Sequence, residues 1–261
     1  DVLFFTTRGR VFQLKAYDVP EASRTAKGQA LVNFLNLSPA EKVSAILPIS
    51  DLGKEEKYLV MVTRQGVIKK VDVASFENVR KSGLIAIKLR GDDLLEYVRP
   101  STGHDEILMV SRQGQAIRFK EKDVRPMGRV AAGVRGMRLG KKDDIIIGMD
   151  IIGKSTVDSA EVLVILGHGY GKRTKMNQYR IQGRGGSGIK TAEVTAKTGP
   201  MSVAYVINAK APPEDLIVIS SKGQVIRLPY KEISVLGRAT QGVRVMRFKE
   251  EGDEVVSVTY V

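Results

Sequence analysis

The chain of 261 residues carries 42 Lys and Arg against 29 Asp and Glu, a formal net charge of +13, with two His and neither Cys nor Trp. The lack of Cys excludes a disulfide framework, a thiolate zinc site, an iron–sulfur cluster and a Cys nucleophile, and His104 and His168 are too few for a His-rich metal site. No apolar run approaches the roughly 20 residues of a membrane-spanning helix and no signal segment opens the chain, which reads as a soluble cytoplasmic protein. The first residue is Asp1 rather than Met, as in a piece of a longer polypeptide.

Internal repeats dominate the sequence. Five segments begin with a β-rich run, pass a glycine and continue with apolar and basic residues: LFFTTRGRVFQLK from Leu3, YLVMVTRQGVIKK from Tyr58, ILMVSRQGQAIRF from Ile107, VLVILGHGYGKRT from Val162 and LIVISSKGQVIRL from Leu216. The anchoring glycines are read as Gly9, Gly66, Gly114, Gly171 and Gly223, and each X-Gly pair is placed at a two-residue hairpin turn. Turn chemistry accounts for Gly9, Gly66, Gly114 and Gly223. A second glycine follows each at 17 or 19 residues: Gly28, Gly83, Gly133, Gly188 and Gly242. After it comes a third predicted strand (QALVNFL, LIAIKL, VRGMRL, IKTAEV, VRVMRF), then an acidic turn and a fourth (VSAILPI, LLEYVRP, IIIGMDI, MSVAYVI, VVSVTYV). Four strands in about 50 residues is the signature of propeller blades. The expectation is an all-β, propeller-like single domain over 1–261, with blades at 1–57, 58–103, 104–158, 159–213 and 214–261 and no interdomain linker. Helical readings of PEASRTAK and SPAEKVSAIL cover short pieces only, so little helix is expected.

The positive charge follows the repeat. Four residues after the first glycine stand Gln13, Lys70, Arg118, Lys175 and Arg227; four before the second stand Arg24, Val79, Arg129, Arg184 and Arg238, with Arg80 beside the exception; five after it stand Asn33, Lys88, Arg138, Glu193 and Arg247. Acidic residues gather elsewhere, in turns such as Asp92-Asp93, Asp143-Asp144 and Glu250-Glu251. In a radial repeat, one phase maps to one radius and height, so these cations predict a basic stripe suited to a bent phosphate backbone. Lys and Arg neutralise phosphates and release counterions, which supplies most sequence-independent affinity. No element reads as a base-reading helix, and aromatics at 6% are too sparse to form stacking platforms for single strands. Double-stranded DNA held by its backbone is the expected ligand, through Arg24, Lys27, Lys70, Arg80, Lys81, Arg118, Arg129, Lys175, Arg184, Arg227 and Arg238.

The run from Gly9 to Ile49, the string GHGYGKRT from Gly167 and QGRGGSG from Gln182 resemble the C-terminal domain of the bacterial DNA gyrase A subunit, over the whole chain. That resemblance implies a β-pinwheel of four-stranded blades that exchange a strand between neighbours. It also implies duplex wrapping on a basic surface and a holoenzyme partnership with the gyrase A core and gyrase B, the isolated domain being monomeric. The family box, QRRGGKG, is matched by Gln182, Arg184, Gly185, Gly186 and Gly188, whereas Gly183 and Ser187 depart and remove two cations. The first repeat here is similar to the family's second, which implies either a further box-bearing blade upstream of Asp1 or a natural five-bladed or open arrangement. The related domain of topoisomerase IV remains an alternative, as does a propeller used as a protein-interaction platform.

Enzymatic readings find little support. GHGYGK places three residues between Gly167 and Gly171 where a P-loop needs four, and Arg173 follows Lys172 where Ser or Thr is required. His104 and His168 lack a Ser or carboxylate constellation, the Asp-Asp pairs lack the spaced carboxylates of a cation loop, and none of the eight tyrosines has the context of a DNA-cleaving residue. No catalytic residue, cofactor or metal is expected.

Overall fold

In the computed structural model, which describes residues 1–23, 25–49, 55–80, 82–140 and 143–261, the strands follow the repeat. In chain order they are β1 (Val2–Thr6), β2 (Arg10–Leu14) and β3 (Val43–Pro48); β4 (Tyr58–Thr63), β5 (Val67–Asp72), β6 (Leu84–Ile85) and β7 (Leu95–Ser101); β8 (Glu106–Ser111), β9 (Gln115–Lys120), β10 (Val134–Arg135) and β11 (Ile146–Ile152). They continue with β12 (Ala160–Leu166), β13 (Tyr170–Lys175), β14 (Ile189–Lys190) and β15 (Met201–Asn208), then β16 (Asp215–Ser220), β17 (Val225–Pro229), β18 (Val243–Arg244) and β19 (Val255–Tyr260). Helical structure among the described residues is confined to 3₁₀ turns of three or four residues.

Four of the five sheets are each an antiparallel hairpin flanked by the last strand of its own repeat and by a two-residue strand from the next. The orders are β3-β1-β2-β6, β10-β5-β4-β7, β11-β8-β9-β14, β15-β12-β13-β18 and, with three strands, β17-β16-β19. The expected exchange of strands between neighbours is thus present, and it is made by the predicted third strands, which shorten to residue pairs. In the first repeat the segment predicted as a strand, QALVNFL, instead forms a 3₁₀ turn over Leu31–Asn33. The fifth sheet has three strands because β17 receives no exchanged strand among the described residues.

Two compact units result, residues 1–103 with 124–134, and residues 104–123 with 135–261. In the first, Phe5, Val11, Leu59, Met61, Phe76 and Val98 form the main core. In the second, β12 is buried along its whole length: Val162, Val164 and Leu166 enter one cluster while Leu163 and Ile165 enter another. A strand covered on both faces has no solvent side to encode, so AEVLVIL reads as an unbroken apolar run rather than an alternation.

The turn of the fourth repeat lies two residues earlier than the sequence suggested. Leu166 ends β12, the chain turns through Gly167, His168 and Gly169, and Gly171 is inside β13. Gly169, at φ +78°, occupies the left-handed position that Gly9, Gly66, Gly114 and Gly223 hold elsewhere. Some of these glycines also do more than turn the chain. A Cβ at Gly9 would lie 2.6 Å from the Ile87 carbonyl oxygen and one at Gly114 2.7 Å from that of Ala192, because the exchanged strand passes directly against the turn. At Gly223, where no strand is exchanged, nothing lies within 4 Å.

Candidate nucleic-acid interface

The shift of the fourth turn redefines the basic phases. Four residues after the turn glycine now stand Lys70, Arg118, Arg173 and Arg227, with Lys175 exposed at the end of β13. Lys70, Arg118 and Arg173 are committed inside the fold, whereas Arg227 keeps its side chain 64% exposed while pairing at the surface. Arg118 is 9% exposed; its Nη2 lies 2.5 Å from Glu106 and its Nη1 donates to the carbonyls of Met176 (3.1 Å) and Tyr179 (2.8 Å). Arg173 pairs with Glu161 at 3.0 Å, donates from Nε to the Ile233 carbonyl at 2.7 Å and lies over the Tyr230 ring. Burial pushes the Tyr230 phenol up to about 12. Arg227 pairs with Asp215 at 2.5 Å, and Lys70 is buried over the Tyr58 ring. In each case the partner is the residue twelve positions earlier on the same hairpin, so this phase is a structural clamp.

The acidic turns are structural too. Asp93 Oδ1 accepts the backbone N–H groups of Gln65 and Leu94, Asp144 Oδ1 those of Gln113 and Ile145, and Asp253 Oδ1 those of Lys222 and Glu254. Burial opposes ionisation of Asp253, and the hydrogen bonds from Ser220, Ser221 and these amides outweigh it, holding its carboxyl below the usual range. Those acids cap hairpin turns, which is why they sit away from the basic loops.

The second basic phase lies on loops that precede the exchanged strands. Each loop is laid along the preceding hairpin by a parallel bridge, Lys70 with Pro126, Arg118 with Ile181 and Arg173 with Val235. Hydrogen bonds from Met127, Gln182 and Leu236 N–H to the carbonyls of Lys70, Arg118 and Arg173 fix the register. The loop then closes on a glycine that only a residue without Cβ permits: at Gly188, φ +78°, a Cβ would meet the Ala116 carbonyl oxygen at 2.5 Å. In the box, Gly185 N–H donates to the Gly136 carbonyl and Gly186 accepts from Arg138 N–H, both at 2.8 Å.

This anchoring presents the arginines in one repeated geometry. Arg184 donates from Nε to the Asp123 carbonyl at 3.1 Å and from Nη1 to the Arg135 carbonyl; Arg238 donates from Nη1 to the Lys190 carbonyl. Arg135 and Lys190 each stand two residues after their own closing glycine, so the same contact recurs one repeat apart. A guanidinium has five N–H donors, and these bonds orient the group with donors left for an anion. Beside the arginines, Arg135, Lys190 and Arg244 are exposed on the exchanged strands, and Arg138 and Arg247 lie just beyond. Sequence reading overlooked Arg135, Lys190 and Arg244; the signal was a cation two residues after the second glycine.

Among the other expected site residues, Lys27 and Arg80 are exposed and Arg129 is half-buried, in the first unit. Arg24 and Lys81 lie outside the described residues. Gly183 and Ser187, where the box lacks its cations, are exposed, and nothing lies within 4 Å of a Cβ at Gly183. No group of three His, Asp or Glu among the described residues is placed to hold a metal ion, and no described helix is long and apolar enough to cross a membrane.

Comparison with known proteins agrees with this architecture. The family described as DNA gyrase C-terminal domain, beta-propeller, matches residues 1–50, 57–102, 105–152, 167–198 and 214–261. The DNA gyrase A protein of Staphylococcus epidermidis is 43% identical over 246 residues, 94% of this chain and 27% of that protein, and that of Staphylococcus aureus is 42% identical over 250 residues, 96% of this chain and 28% of that protein. The chain therefore spans about a quarter of the length of these relatives. Among solved structures, the C-terminal domain of a DNA topoisomerase IV superposes with a TM-score of 0.86 at 27% identity, covering all of this chain and 78% of that one. A DNA gyrase A C-terminal domain superposes with a TM-score of 0.80 at 24% identity, over 99% of this chain and 81% of that one, and shows the shared fold.

Proposed function

Because the chain belongs to the DNA gyrase C-terminal domain family, we propose that it binds double-stranded DNA by the phosphate backbone and wraps it across successive repeats, as a non-catalytic part of a gyrase A protein. The observation that carries this reading is the recurrence of Arg184 and Arg238 in one geometry, each held on a backbone carbonyl of the exchanged strand. Repeated phosphate contacts at a regular interval along the chain suit a long, uniformly charged ligand better than a small molecule. Contacts to the phosphate backbone carry no sequence information directly, so weak sequence preference is expected. In the holoenzyme, wrapping by this chain would direct the DNA segment passed by the gyrase A core and gyrase B and so set the sign of supercoiling.

Ligation of a nicked circle in the presence of the chain tests the proposal. A shift in linking number in the positive sense is expected, and an unchanged linking number at saturating protein would overturn wrapping. Charge reversal at Arg129, Arg184 and Arg238 should abolish the shift; a surface used for a protein partner would keep that partner after the same changes.

A further inference from the structure

Two fully buried lysines stand beside the basic loops and take no part in the clamps described above. Lys69 and Lys172 occupy equivalent positions, three residues after the turn glycines Gly66 and Gly169, where the other repeats place Phe12, Ile117 and Ile226. Lys69 Nζ donates to the carbonyls of Ala86 (2.8 Å), Arg129 and Ala131 (3.0 Å). Lys172 Nζ donates to the carbonyls of Gly237 (2.8 Å), Arg238 (2.6 Å) and Thr240 (2.9 Å), with the Thr240 hydroxyl at 3.1 Å. An ammonium has three donors, and each cage meets them with backbone oxygen. Burial of an ammonium is costly without such partners, so a packing role alone would be met as well by the Ile or Phe of the sister repeats.

The carbonyls gathered inward have a consequence on the other side of the loop. The peptide bonds of these loops are trans, and in a trans peptide the C=O and the following N–H point in opposite directions. The N–H groups of Val130 and Ala132 therefore turn away from Lys69, and those of Ala239 and Gln241 away from Lys172. The intervening N–H groups of Ala131 and Thr240 close turns on the carbonyls of Gly128 and Gly237, so each turn directs two alternate backbone N–H groups away from its lysine, a concavity suited to an anion on loops that also carry Arg129 and Arg238. We propose that Lys69 and Lys172 are positioning residues that template two phosphate-binding loops, 129–132 and 238–241, making the third and fifth repeats the principal anion contacts. The proposal rests on the DNA-binding reading above and names where that binding is concentrated.

Electrostatics supply a readout that a packing role would not. Burial, with Arg129 opposite, brings the Lys69 ammonium down to about 8; burial, with Arg238 and Lys190 opposite, does the same for Lys172. A phosphate on the loop stabilises the charged form, so binding takes up protons and affinity falls as pH rises from about 8.

The test uses the 261-residue chain with a 40-base-pair duplex, comparing wild type, K69M, K172M and the double variant, with thermal unfolding as the check on folding. Expected are a loss of about tenfold in affinity for the folded double variant, a shallower salt dependence, and a binding curve flat between pH 7.5 and 9.5 where the wild type declines. Folded variants that bind with wild-type affinity and pH profile overturn the inference while leaving the DNA reading intact; a wild type that binds no duplex overturns the DNA reading itself, and this inference with it. Should the variants fail to fold, NMR of the wild type decides. DNA should move the amides of Val130, Ala132, Ala239 and Gln241 and raise the titration midpoints of both lysines, and unmoved signals would overturn the proposal.

Discussion

Arg118 and Arg184 have the same side chain and repeat-linked positions, yet one closes a buried ion pair and the other lies at the surface with donors to spare. The difference is the carboxylate twelve residues before Arg118, a pairing visible only once the hairpin register is known. In the first repeat the turn is organised by Glu41, which accepts hydrogen bonds from Arg10, from the Thr6 hydroxyl and from Ser38 N–H at 2.9 Å. Burial opposes its ionisation, but these donors outweigh burial and hold the carboxyl down to about 2, against an ordinary 4.5. A carboxylate with a depressed folded value stabilises the fold above its unfolded value and loses that stabilisation as pH falls toward 2. Chemical denaturation between pH 6 and pH 2 should therefore show a loss of about 2–3 kcal/mol from this group, and E41Q should be less stable at pH 6 and lack that part of the pH dependence.

At the scale of the element, strand order and hairpins were legible because β-branched runs broken by X-Gly pairs have few other readings. The exchanged strands were legible only as a phase. A pair such as Val134–Arg135 is too short for alternation to identify, and it exists because the preceding hairpin offers an open edge. QALVNFL carries the same apolar composition, but among the described residues it meets no such edge and forms a 3₁₀ turn. The fourth turn was misplaced because GHGYG offers three glycines, and the choice of Gly169 over Gly171 depends on the exchanged strand: Val245 N–H donates to the Gly169 carbonyl at 2.8 Å. The closing glycines should show this tertiary constraint directly. G188A, forced to φ +78° against the Ala116 carbonyl, should cost about 2–3 kcal/mol and weaken DNA binding, whereas G183A on the same loop, in open space, should change stability by less than about 0.5 kcal/mol. Urea unfolding of the two variants side by side checks the contrast.

For the whole molecule, the net charge of +13 divides into cations that hold the repeats together and cations available to a ligand. Only the second group releases counterions, at a slope in log K against log salt of about −0.9 per phosphate neutralised. Restoring the two cations missing from the box, as G183R with S187K, should therefore steepen that slope by about 2 and raise affinity at low salt, since both positions are exposed; an unchanged slope in a salt titration would place the box away from the DNA. The amino-acid sequence by itself determined the repeat, the all-β class, four of the five turn glycines and the family, because turn residues and β-branched runs act locally. The partners of each basic residue were decided only by the tertiary structure. Lys70 and Arg118 meet a ring or acceptors across a buried hairpin face, Arg227 pairs across its hairpin at the surface, Lys69 and Lys172 meet carbonyls some 60 residues away, and Arg184 and Arg238 stay half-exposed with donors free for a ligand. Charge is a property of the residue, but whether it is spent on the fold or left for a ligand depends on which oxygens the folded chain brings within reach.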